Sequence, residues 1–77
     1  MDFYTIARTM NGQVQVIGYD ATSDEPDSNV WENLETALRY TDCAWTSSDL
    51  EELEEMIGQC SYLNPEFSYE VIEWNHF

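Results

Sequence analysis

Residues 2–19 read DFYTIARTMNGQVQVIGY, and this stretch decides the fold class. Asn11-Gly12 separates two segments rich in β-branched and aromatic residues. A two-residue type I′ turn needs positive φ at both central positions, which Asn and Gly tolerate best. The pair predicts a β-hairpin with strands over Asp2 to Met10 and Gln13 to Tyr19. In the second strand Val14 and Val16 alternate with Gln13 and Gln15, so that one face is buried and the other wet. Gly18 marks a bulge or the end of pairing.

Beyond the hairpin, Asp20 to Ser28 reads DATSDEPDS, with almost no apolar content. It is expected to be an exposed acidic loop. An EF-hand loop needs alternating oxygen ligands, a central Gly and a Glu at the twelfth position, and no Gly follows these acidic residues, so calcium is only a weak alternative there. From Asn29 the period changes. Val30, Trp31, Leu34, Ala37 and Leu38 recur at helical spacing, and Asn29 with Glu32 reads as a capping box, which predicts a first helix ending near Tyr40. After a short connection, Ser48 with Glu51 forms a second capping signature. Leu50, Leu53, Met56, Ile57 and Cys60 make the apolar stripe of a second helix, with Gly58 near its end.

Asn64-Pro65 stops that helix, because proline biases its predecessor away from helical angles. Phe67 to Trp74, reading FSYEVIEW, is expected to be the last strand, with Phe67, Tyr69 and Val71 on one face and Ile72 and Trp74 on the other. The expected architecture is α+β: a three-stranded antiparallel sheet with two helices packed on one face, order ββααβ, as one domain over residues 1–77. The other sheet face is then partly open. Tyr4, Tyr19 and Trp74 become candidates for an aromatic contact surface.

Composition narrows the function. Seventy-seven residues suit one small domain, which buries only about 60% of its unfolded surface. Aromatic residues at 14% make the chain too apolar for an acidic disordered tail. Sixteen acidic residues oppose two basic ones, Arg8 and Arg39, for a net charge of -14 with no Lys. Such an excess repels itself and opposes compaction, and it argues against direct contact with nucleic acid or an anionic membrane. A basic protein surface is the expected partner, and the chain itself is a monomer or homodimer. The N-terminus shows neither a signal peptide nor a membrane span, which suggests a cytoplasmic protein.

Catalytic chemistry is sparse. His76 is the single histidine and lies next to the C-terminal residue, where fraying opposes precise positioning. Cys43 and Cys60 share no metal-ligand or redox spacing and read as free thiols, with a disulfide between them as the alternative. No nucleotide-binding or hydrolase motif occurs. No enzyme activity, cofactor or metal is expected.

The charge is densest in DLEELEE, Asp49 to Glu55. One helical turn advances about 5.4 Å, comparable to the repeat of phosphates along a strand. The candidate partner-binding carboxylates are Asp24, Glu25 and Asp27 of the loop, Glu32 and Glu35 of helix one, and Asp49, Glu51, Glu52, Glu54 and Glu55 of helix two. Carboxylates in a first turn also stabilise a helix through its dipole, and salt adaptation yields acidic chains too. The complete absence of lysine favours a partner-directed surface over simple solubility.

By its size, its charge and the DLEELEE segment, the chain resembles the small phage-encoded inhibitors of bacterial defence, the anti-CRISPR and antirestriction DNA mimics. The resemblance is one of class and carries over no residue roles. It implies a stoichiometric inhibitor that occupies the basic nucleic-acid-binding surface of a defence nuclease or Cas complex. An immunity protein plugging a toxin nuclease, and a regulatory module using an aromatic sheet face, are the alternatives.

Overall fold

A computed structural model describes residues 2–18, 31–41 and 44–75. Asn11 and Gly12 have φ of 53° and 79°, the left-handed pair of a type I′ turn. They join β1 (Tyr4–Met10) to β2 (Gln13–Ile17) in a register from Met10↔Gln13 to Ala7↔Val16. The last strand (Ser68–Glu73) pairs antiparallel with the other edge of β1, from Tyr4↔Glu73 to Thr9↔Ser68.

The expectation of three strands is overturned. A three-residue strand, β3 (Trp31–Asn33), pairs antiparallel with β2 from Gln15↔Asn33 to Ile17↔Trp31. With the last strand as β4, the sheet has four strands in the order β3-β2-β1-β4. Trp31 and Leu34 carry a helical spacing, yet helix α1 begins only at Leu34 and runs to Arg39. Asn33 is its N-cap, its side chain accepting the Glu35 N–H at 2.9 Å. Six residues form too short a helix to hold by propensity alone. Trp31 instead gains a ladder partner and packs beside the Ile6, Ile17 and Leu53 core.

Placement of the helices is also corrected. Side chains alternate along a strand, so register assigns them to faces. Ile6, Ile17, Trp31, Tyr69 and Val71 share one face and pack with Leu53 of helix α2 (Leu50–Leu63). Val16 and Ile72 point the other way and pack with Ala37 and Leu34 of α1, together with Trp74. The helices therefore lie on opposite faces of the sheet. Thr5, Ile6 and Ala7 are consecutively buried, as are Val16 and Ile17, the signature of strands covered on both sides.

The segment 44–47 closes the end of the sheet where β1 and β2 part. Tyr4 and Ser47 exchange both backbone hydrogen bonds at 2.9 Å, the Trp45 N–H donates to the Ile17 carbonyl at 3.0 Å, and Gly18 bridges Ala44. The buried Thr5 hydroxyl donates to the Trp45 carbonyl at 2.7 Å. Among the described residues no buried side-chain polar atom lacks a partner, as a stable core requires.

Candidate protein-binding surface

Helix α2 carries the main acidic face, and its start differs in detail from the expected Ser48–Glu51 box. Asp49 is the N-cap, its carboxylate accepting the Glu51 N–H at 3.0 Å and the Glu52 N–H at 3.5 Å. The Ser47 hydroxyl donates to Glu52 Oε2 at 3.0 Å and accepts the Asp49 N–H at 3.1 Å. Two of the five helix-two carboxylates thus hold the helix start. Glu51, Glu54 and Glu55 are exposed, with no hydrogen bond to another described side chain.

At about 100° per residue, Leu53, Met56, Ile57 and Cys60 share the inner stripe. Leu53 is fully buried and the others are half-buried. The opposite stripe runs Glu51, Glu55, Gly58, Tyr62. Gly58 lies in the helix interior, and a Cβ built there would touch nothing within 4 Å. Together with Glu55, Gln59, Tyr62 and Leu63 it lines an open concavity on the outer face. Tyr62 and Leu63 are 86% and 73% exposed.

The other sequence-predicted residues are distributed elsewhere. Glu35 is exposed on α1, and Glu32 is half-buried on β3 opposite Val16. Both belong to the α1 side of the sheet, so they do not extend the row of α2. Asp24, Glu25, Asp27 and Tyr19 lie outside the described residues, as do Cys43 and His76. Among the described residues the expected open aromatic face does not form. Trp74 is 1% exposed, sits against Val16 and Ala37, and donates its ring N–H to the Thr41 carbonyl at 3.2 Å. Tyr4 is half-buried against the Leu53 cluster.

Arg8 was not among the candidates, and it shapes the surface by its concealment. Its guanidinium lies 4.2 Å from the Trp31 ring centroid and 4.0 Å from that of Phe67, with Nε donating to Gln15 Oε1 at 2.8 Å. Tyr69 meets Trp31 edge-on at 6.1 Å. The Asn-Gly turn already places Arg8 opposite Gln15, so the pairing was readable from the hairpin register. The flanking rings come from residues 31 and 67, distant in sequence, and carried no local signal. Arg39, in the last turn of α1, is exposed.

The Tyr69 hydroxyl shares its one proton between the Cys60 and Asn64 carbonyls, at 3.1 and 3.0 Å, closing the C-terminal end of α2. Burial raises the pKa of Tyr69 above the ordinary tyrosine value, opposed by its hydrogen bond to Arg8. Burial likewise raises the Cys60 thiol, opposed by the Arg8 charge. That free thiol is half-buried, and with so little thiolate it is a weak nucleophile. Among the described residues no three His, Cys, Asp or Glu side chains are grouped to hold a metal ion. No helix among them is long and apolar enough to cross a membrane. Comparison with family models, curated proteins and solved structures finds no match to this chain.

Proposed function

We propose that this protein is a stoichiometric inhibitor that binds the basic nucleic-acid-binding surface of a bacterial defence nuclease complex, of the anti-CRISPR or antirestriction type. The observation that supports this reading is the one-sided surface charge. Carboxylates of both helices and of β4 are exposed, while one of the two basic residues is capped by Trp31 and Phe67. A cleft lined with Lys and Arg attracts such a surface from a distance and binds it in place of phosphate. In this reading α2 makes the principal contact through Glu51, Glu54 and Glu55, the protein acts in the bacterial cytoplasm, and it works by occupancy without chemistry.

The test is competition. Immobilised protein is loaded with its retained partner from host lysate and challenged with duplex DNA across a salt series. Displacement by DNA, retention that weakens steeply with salt, and loss of retention in the triple variant E51K/E54K/E55K are expected. Retention indifferent to DNA, to salt and to charge reversal overturns the reading. Displacement by a toxin nuclease's own substrate, with no effect on a defence complex, selects the immunity-protein alternative.

A further inference from the structure

Gly58 is the feature of α2 that the fold does not explain. An interior helix glycine destabilises its helix relative to alanine, and glycine is usually retained where backbones approach closely or where φ is positive. Neither reason operates within this chain, because the space above Gly58 is open and its φ is ordinary. Its exposed surroundings are unusual for an acidic helix. Tyr62 and Leu63 stand on the surface beside it, and Glu55 lies one turn before it.

We propose that this notch is a docking site for an arginine side chain presented by a basic protein surface. The guanidinium would lie over Gly58, between the Tyr62 ring on one side and the Glu55 carboxylate on the other, with the alkyl stem against Leu63. Glu55 and Tyr62 are two turns, about 10 Å, apart along the helix, and Gly58 lies about one turn from each, so a single guanidinium seated there is within reach of both side chains. Cations favour the faces of aromatic rings, and Arg8 shows the same preference inside this molecule. Charge complementarity selects the occupant: a second copy at -14 is repelled, and an apolar partner would leave Glu51, Glu54 and Glu55 without counter-charge. This inference rests on the proposed binding of a basic surface and adds the anchor point.

The experiment titrates the intact protein with a nona-arginine peptide and with a nona-lysine peptide of equal length, followed by amide chemical shifts and fluorescence anisotropy. The expected result is stronger binding of the arginine peptide, with the largest shifts at Gly58, Gln59 and Tyr62. Y62A should weaken it about threefold, and G58L, which fills the notch, about tenfold. G58A should raise the melting temperature by about 4–8 °C without strengthening binding, which separates docking from helix stability. E55Q should weaken binding more than E70Q, which removes the same charge from β4.

Equal affinity for both peptides, shifts spread over all acidic residues and no effect of G58L would overturn the docking site while leaving the basic-surface reading intact. Failure of both peptides to bind at low salt overturns both.

Discussion

The two faces of the sheet are covered by unequal means. On one, the fourteen-residue α2 buries Leu53 in a cluster with Ile6 and Ile17. On the other, the six-residue α1 contributes only Ala37 as a buried residue, and Trp74 supplies the bulk. A long amphipathic helix seals a sheet by itself. A helix of one and a half turns does so only with a large side chain from elsewhere in the chain. The asymmetry makes Trp74 structural and leaves α2 with a full outer face for contact.

Substitutions can break this contrast. Trp74→Ala is expected to have the largest effect, about 3–5 kcal/mol, measured by urea denaturation. A chain this size has little stability to lose, so the variant should be largely unfolded at room temperature. Leu53→Ala should cost about 2–4 kcal/mol on the same measurement. A Trp74→Ala cost below that of Leu53→Ala would show that α1 needs less help than its length implies.

The caps sharpen the comparison at a smaller scale. Asp49→Ala removes a side chain that accepts two backbone N–H groups and should cost about 1 kcal/mol. Asn33→Ala removes one such bond and should cost about 0.5–1 kcal/mol. A larger penalty at Asn33 would mean that α1 depends on its own cap more than on Trp74.

The smallest effect is on pH. Because the Tyr69 pKa is raised in the folded state, folding holds its proton more tightly than the unfolded chain does. Its contribution is complete below about pH 10, the ordinary tyrosine value, and is lost as pH rises through the folded value. Denaturation midpoints should fall over that alkaline range, and Y69F should flatten this part of the profile while lowering stability at neutral pH.

Much of this was readable along the chain. The Asn11-Gly12 turn, the apolar stripe of α2 and the division of Val71 from Ile72 all follow from local pattern, and the structure has them. The fourth strand was not readable, because Trp31-Glu32-Asn33 is too short to show a period and its ladder partner lies fourteen or more residues upstream. The two-sided cover had a signal in the unbroken runs Thr5-Ile6-Ala7 and Val16-Ile17, but alternation in Val14 and Val16 pointed to a single buried face. At the candidate site, the carboxylates of DLEELEE were legible as charge. Their division into capping and outward groups was not, since it depends on the turn formed by Ser47. The sequence places Gly58 near the end of the helix, and α2 runs on past it to Leu63, so its open setting emerges only from the fold.

β1 lies between β2 and β4, and its ladder with β4 runs from Tyr4↔Glu73 to Thr9↔Ser68. The two strands are antiparallel, so the start of β1 and the end of β4 emerge at the same edge of the domain. Tension applied between those two points loads the ladder as a zipper, parting one pair before the next, whereas tension along the strands would have to shear all the pairs together. The domain should therefore yield to pulling at its ends under low force, even though β1 is its most enclosed strand. Mechanical softness and thermodynamic burial reside in the same element, separated only by the direction of pull.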